Sequence, residues 1–220
     1  PPRSTPKPSS AASDVYKRQG LVVANEPNPG RANNLVSNVQ RSGHLNIAVV
    51  REDGRNFPRV AEPGFDRILV DAPCTGTGTT RKNTDVWRNW KPHHGEQMSR
   101  LQVNILSRAA LLLRPGGTMV YSTCSIDPAE IEAVVELILE RYPWLSLKKV
   151  ERSEIFPGLN TRPGRTEKTE DCIRVWNDEN DGSGFFIAIF SQNEMKQSSA
   201  RATRAHPRDL GREPVPISPK

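Results

Sequence analysis

The stretch "VDAPCTGTGTTRKNTDVW", residues 70–87, decides the fold. An apolar run, "FDRILV" (65–70), ends in Asp71, Pro73 and Cys74, then passes into small residues and Arg81–Lys82. Further along, "MVYSTCS" (119–125) repeats the arrangement, with Cys124 at the end of a second apolar run. Two strand-end cysteines and a strand-end carboxylate mark a site rather than a core. Pro73 removes a backbone donor and fixes the chain direction. Asp71 is therefore expected to be held rigidly at the edge of a buried strand.

Working outward, short apolar runs alternate with helical patterns. "LVVAN" (21–25), "LNIAVV" (45–50), "FDRILV" (65–70) and "TMVYSTC" (118–124) read as strands. "RANNLVSNVQRSG" (31–43) carries Leu35, Val36 and Val39 at helical spacing, with Gly43 as a stop. Residues 96–113 predict a long helix with Leu101, Ile105 and Leu112 on one face, ended by "RPGG". Residues 127–143 predict another, with Asp127 as N-cap, Pro128 in the first position and Glu130 completing a capping box. This alternation predicts an α/β protein with a parallel sheet covered by helices on both faces. "CIRVWNDENDGSGFFIAIF" (172–190) reads as an antiparallel hairpin at the sheet edge.

In open α/β sheets ligands bind at the carboxyl ends of the strands. Those ends carry Glu26, Asp53, Asp71, Cys74 and Cys124. A carboxylate in the place of Glu26 suits a ribose diol, and a solvated loop carboxylate reads equally well there. Asp53 suits an exocyclic amine, or a turn aspartate beside Gly54. Cys74 and Cys124 read as buried thiols or as nucleophiles; no CxxC or histidine cluster accompanies them, so no metal is expected. A helix start just after Cys124 would favour its thiolate. Cys172 reads as structural. Arg81 and Lys82 read as phosphate contacts or as solvated surface, and Trp87 and Trp90 as packing more than as base-stacking rings. "TGTGTTRK" lacks the P-loop spacing, which excludes nucleoside triphosphate binding of that type.

Composition narrows the class. Three cysteines in 220 residues are too few for a disulfide framework and point to a reducing, intracellular setting. No apolar run approaches the roughly 20 residues of a membrane span, so no membrane partner is expected. The net charge of +6 is unevenly placed. Residues 1–19 hold four basic residues and one acid, residues 195–220 six and two, and the body between them stands at −1. The basic balance thus belongs to the ends and does not by itself argue for nucleic acid. Residues 1–19, Pro- and Ser-rich with "SDVYKRQ" at their end, read as disordered or artefactual, and residues 193–220 as a disordered basic tail.

The motifs "VDAPCTGTGTTRKNTDVW" and "GGTMVYSTCSIDPAEIEAVV" resemble the two cysteine motifs of the RNA 5-methylcytosine methyltransferases of the NOL1/NOP2/Sun family. "VVANEPNPGRANNLVSNVQRSG", "FPGLNTRPG" and "GSGFFIAIF" resemble its other blocks, and "RKNTDVW" is similar to the tRNA branch. The resemblance covers about residues 20–192. It implies a Rossmann-like class I S-adenosylmethionine-dependent methyltransferase fold, mostly parallel with a C-terminal antiparallel hairpin. The family's "CAAPGxKT" cofactor loop has no counterpart in "PPRSTPKPSSAASDV", so the domain at 20–192 is expected to lack its first strand and that loop.

The resemblance implies roles as well. Cys124 would add to cytosine C6, Cys74 would serve release, and Asp71 would hold cytosine N3 beside the cofactor. Glu26 and Asp53 would hold the ribose and adenine of S-adenosylmethionine. The expected function is cytosine-C5 methylation of tRNA by a monomer in the nucleus or cytoplasm. The alternatives are ribosomal RNA as substrate, or a catalytically inactive RNA-binding fragment of the same fold.

Overall fold

The computed structural model describes residues 20–60, 64–180 and 182–193. The readings made for residues 1–19 and for the tail beyond Asn193 lie outside these residues.

The chain opens with a β-α-β unit. β1 (Val22–Asn25) and β2 (Ile47–Val50) pair in parallel, with Val22 opposite Ile47 and Asn25 opposite Val50. Between them runs α1 (Pro29–Ser42). Its limits follow from local chemistry. The Asn28 side chain accepts the Arg31 N–H at 3.1 Å, Pro29 stands where a helix needs no N–H donor, and Gly43 closes the helix at φ 68°. A single 3₁₀ turn, Gly54–Asn56, follows β2.

The second sheet holds the core. β3 (Phe65–Asp71) pairs in parallel with β4 (Leu113–Thr123), placing Asp71 opposite Ser122. Between them come a short helix, α2 (Asp85–Asn89), and the long α3 (His94–Leu112). α4 (Glu132–Arg141), β5 (Leu145–Leu147), α5 (Arg152–Ile155), β6 (Thr161–Arg162), β7 (Ile173–Val175) and β8 (Phe185–Gln192) complete it. The strand order is β3-β4-β8-β7-β6, with β5 also on β8. Every pairing that involves β5 to β8 is antiparallel.

Strict alternation in β8 sends Phe186, Ala188 and Phe190 into the core, where they meet Met119 and Tyr121 of β4, Leu106 and Ala110 of α3, and Val134 and Ile138 of α4. The 3₁₀ turn at Gly54 rests on α3, since a Cβ there would stand 3.4 Å from Ile105.

Five expectations are corrected. The C-terminal hairpin is not at the edge: β8 inserts beside β4, because its apolar alternation can be buried only in the sheet's interior. The sheet is accordingly mixed rather than mostly parallel. Helices α3 and α4 both pack on one face of it. On the other, the cross-strand row Leu69–Val120–Ile189 is only part-covered among the described residues, and Leu69 is 51% exposed. α3 buries Val103, Leu106 and Ala110 more deeply than Leu101 and Ile105, and it ends in extended backbone at Leu113 rather than on a glycine; Gly116, at φ 73°, lies within β4. Finally, α4 starts at Glu132, not at Pro128. Asp127 instead caps a turn, accepting the Ala129 N–H at 3.0 Å. β3 has no strand on its outer edge among the described residues, and β1–β2 stand as a separate ladder.

Candidate active site

The parallel pairing of β3 and β4 brings their carboxyl ends side by side. Past Asp71 the chain turns through Ala72–Pro73 to Cys74; past Thr123 it reaches Cys124 at once. The two sulfurs lie 3.2 Å apart, within hydrogen-bond reach. Both cysteines are free and part-buried.

The pair divides its protons unequally. Cys124 donates to Cys74, and this hydrogen bond pulls the Cys74 thiol down to about 6, against the opposing cost of burial. The Thr123 hydroxyl and the Gly76 N–H add to the pull. The same bond, with burial and the Cys74 charge, pushes the Cys124 thiol up. The pair therefore holds one negative charge, centred on Cys74. This corrects the expectation that a helix start favours thiolate at Cys124, since α4 begins only at Glu132. Cys172 is fully buried and burial pushes its thiol up, in keeping with a structural role.

What holds the two cysteine loops together is Glu130, a residue the sequence offered only as a helix cap. Its side chain is fully buried and takes four donors. Oε2 accepts the Thr75 N–H at 2.9 Å and Gln102 Nε2 at 3.0 Å. Oε1 accepts the Ser125 hydroxyl at 2.7 Å and the Thr75 hydroxyl. Thr75 follows Cys74 and Ser125 follows Cys124, so one carboxyl group clamps both loops. Gln102 also donates to the Pro73 carbonyl at 2.9 Å, and the Tyr121 hydroxyl to the Glu130 carbonyl at 2.5 Å. Burying so many polar groups is tolerable because nearly all have a partner; in this cluster Gln102 Oε1 has none among the described residues. The sequence signal was an acid six residues past Cys124 on no apolar face.

"TGTGTT" also finds its reason. Gly78 donates to the Cys124 carbonyl at 2.9 Å, and its own carbonyl accepts the Gly184 N–H at 2.7 Å. A Cβ at Gly78 would stand 2.6 Å from both the Cys124 and Gly184 carbonyl oxygens. The glycine exists for close backbone approach, not for phosphate.

The other named residues fall into place unevenly. Asp71 is at the end of β3 but exposed rather than buried; its Oδ1 lies 3.5 Å from the Ser122 hydroxyl. Glu26 and Asp53 follow the ends of the adjacent strands β1 and β2, which Asn25 ties together by bonds to the Glu52 carbonyl (3.0 Å) and N–H (2.9 Å). Glu26 Oε1 accepts the Asn28 N–H and pairs with Arg31 at 3.0 Å, while Oε2 has no protein partner among the described residues. Asp53 pairs with Arg55, which lowers its pKa, and so spends both oxygens on that guanidinium. The donor set fits a ribose diol at Glu26; at Asp53 an amine would share the oxygens with Arg55. Arg81 donates to the Asn177 and Asn180 carbonyls at 3.1 and 3.3 Å, and Lys82 is exposed. Trp87 and Trp90, read as packing residues, are 67% and 45% exposed.

Among the described residues no helix is long and apolar enough to cross a membrane, and no three His, Cys, Asp or Glu side chains cluster as metal ligands.

The family model described as 16S rRNA methyltransferase RsmB/F matches residues 8–191. The multisite-specific tRNA:(cytosine-C(5))-methyltransferase of Saccharomyces cerevisiae is 33% identical over 85% of this chain and 34% of its own length. The ribosomal RNA small subunit methyltransferase F of Escherichia coli is 35% identical over 82% of this chain and 37% of its own. The solved structure of NSun6 from Pyrococcus horikoshii with SFG superposes with a TM-score of 0.69 at 26% identity, covering 84% of this chain and 44% of that one. The chain spans about a third of the length of the curated relatives it matches. It belongs to the RsmB/F family of RNA methyltransferases and has their Rossmann-like α/β fold.

Proposed function

We propose that residues 20–192 form the catalytic domain of an S-adenosylmethionine-dependent RNA cytosine-C5 methyltransferase that acts on tRNA. The observation that carries this reading is the Cys74–Cys124 sulfur pair, 3.2 Å apart at the carboxyl ends of two adjacent parallel strands.

Cytosine C5 is a poor nucleophile. A thiolate added to C6 makes C5 enamine-like and able to take a methyl group. Cys124 is the group that adds: its sulfur bonds C6 as its proton passes to the Cys74 thiolate 3.2 Å away. Asp71, at the same sheet end, holds cytosine N3 and stabilises the adduct. Bound at Glu26 and Asp53, S-adenosylmethionine supplies the methyl group. Cys74 passes the first proton to solvent and, as thiolate again, takes the C5 proton. C5=C6 reforms as the Cys124–C6 bond breaks, Cys124 leaves as thiolate, and the Cys74 proton returns to it. The target base must be unpaired or flipped out, because the thiol attacks the face of a ring that stacking covers. Arg81 anchors the loop that carries Lys82, and Lys82 meets the phosphate backbone.

A second reading, ribosomal RNA as substrate, draws support from the likeness to the Escherichia coli relative. The two are separated by incubating the chain with methyl-labelled S-adenosylmethionine and either total tRNA or small-subunit rRNA, followed by nucleoside analysis. Labelled 5-methylcytosine in tRNA is the expected result. Label only in rRNA selects the second reading. RNA binding without label in either would make the chain an inactive RNA-binding fragment.

A further inference from the structure

The segment from Arg81 to His94 is unlike the rest of the body. It carries four basic residues (Arg81, Lys82, Arg88, Lys91) and one acid, whereas residues 20–80 carry six of each and residues 95–194 carry eleven basic and fifteen acidic. Within it stand two tryptophans, Trp87 at 67% and Trp90 at 45% exposure. Tryptophan rarely shows that much of its surface to water without a purpose, and here two do so three residues apart.

Trp90 also lines a cleft of about 240 Å³, with Thr75, Asn83, Asn89 and His94 on its walls. This is smaller than the roughly 300–1,000 Å³ of pockets for drug-sized ligands. It suits one planar base better than a whole cofactor. Val86 and Asp85, the latter paired with Arg88 at 3.1 Å, complete the walls, which offer an aromatic ring together with amide and imidazole groups, the chemistry that stacks on a nucleobase and meets its edge. The cleft touches the reactive centre at one place, Thr75, whose neighbour is Cys74. Neither Cys74 nor Cys124 lines it. It therefore lies next to the reacting position without being that position.

We propose that this cleft holds the base of the RNA nucleotide beside the target cytosine, stacked on Trp90. Trp87 extends the stacking surface, and Lys82 and Lys91 face the backbone phosphates. The inference rests on the RNA methyltransferase reading for what reaches Cys74, but it is a claim about RNA binding and can fail by itself. Stacking one neighbour turns a base out of the helix and fixes the strand on which the cytosine is presented. Because every base has a π face, the cleft selects an unstacked nucleotide, not a sequence.

The test is the affinity of the full chain for a short single-stranded RNA with one central cytosine, read by fluorescence anisotropy, which needs no turnover. Trp90→Leu keeps an apolar side chain but no ring, and Trp90→Phe keeps a ring; circular dichroism confirms that both fold. The leucine variant is expected to bind about tenfold more weakly or worse, and the phenylalanine variant within a few fold of the parent. An RNA with an abasic residue beside the cytosine is expected to bind the parent as weakly as intact RNA binds the leucine variant, with no further loss when the two changes are combined. Additive losses, equal binding by parent and leucine variant, or no RNA binding by the parent would each overturn the proposal. Equal binding would leave the two rings as a protein-contact face. Failure of methyl transfer with the stacking result intact would sink the enzymatic reading and not this one.

Discussion

Cys74 and Cys124 stand fifty residues apart in sequence, yet their sulfurs are 3.2 Å apart and share a proton. The thiolate rests on Cys74, where Cys124, the Thr123 hydroxyl and the Gly76 N–H all donate to it. The two thiols are thus set apart in the resting site: Cys124 holds the proton and Cys74 the charge, the division that the proposed roles of nucleophile and base require.

Alkylation reads this division directly. Cys74 should react with iodoacetamide at a rate that rises through pH 6 and levels off near pH 7, while Cys124 and buried Cys172 lag far behind. Cys124→Ala removes the main donor, so the Cys74 midpoint should move up toward the ordinary thiol value. The sign for stability follows. A folded-state pKa below the ordinary 9.0 means that ionising Cys74 favours the fold above that value, a contribution lost as pH falls through about 6. Peptide mapping of the labelled protein across pH checks the midpoint.

Glu130→Ala should be costly in two ways. It leaves the Thr75 N–H without its acceptor in a buried place and takes one partner each from two hydroxyls and Gln102, a loss of about 3 kcal/mol. It also frees the two cysteine loops from each other. Loss of the Cys124 hydrogen bond, the largest influence on Cys74, outweighs loss of the Glu130 charge, the smallest, so the alkylation midpoint of Cys74 should rise in the variant even where it remains folded. Urea melts and the same labelling experiment measure the two effects.

Gly78→Ala should destabilise by about 2 kcal/mol or more, because the new methyl would press on the Cys124 and Gly184 carbonyls, which are backbone and cannot swing aside. Gly182→Ala, at a place with nothing within 4 Å, is the control and should be near neutral. Thermal melts of both variants compare them.

Away from the site, Arg174 and Glu132 form a buried ion pair at 2.6 Å, with Arg174 stacked over Trp176 at 4.6 Å from the ring centre. Arg174→Met leaves Glu132 buried without its partner and should cost about 3–5 kcal/mol. Replacing both, with Glu132→Met added, should recover part of that loss. A double-mutant cycle in denaturant measures it.

Much of this was legible because it is local. The strand ends, the Asn28 and Gly43 limits of α1 and the two cysteine motifs are each written in a few consecutive residues. Their convergence follows from one rule, that ligands gather at the carboxyl ends of parallel strands. What was illegible depends on distant partners. Nothing near Phe185 says that β8 enters between β4 and β7. Glu130 sits where a capping box is expected, and only the approach of Thr75 and Gln102 turns it inward. Trp87 and Trp90 look like packing residues until the structure shows them only part-covered by the described residues. Asp71 is expected at the edge of a buried strand; it does end β3, but with no strand on the outer edge of β3 among the described residues it is itself exposed.

The measurement that bears most directly on the central claim is covalent trapping. The Cys74→Ala chain is mixed with total tRNA and cofactor, denatured, and run on a gel that resolves protein from protein–RNA conjugate, with Cys74→Ala/Cys124→Ala as control. The account predicts a slow-moving band in the single variant that disappears in the double variant, because Cys124 makes the bond to C6 and Cys74 is needed to release it. A band that persists without Cys124, or no band from the folded single variant, would contradict the assignment of Cys124 as the nucleophile.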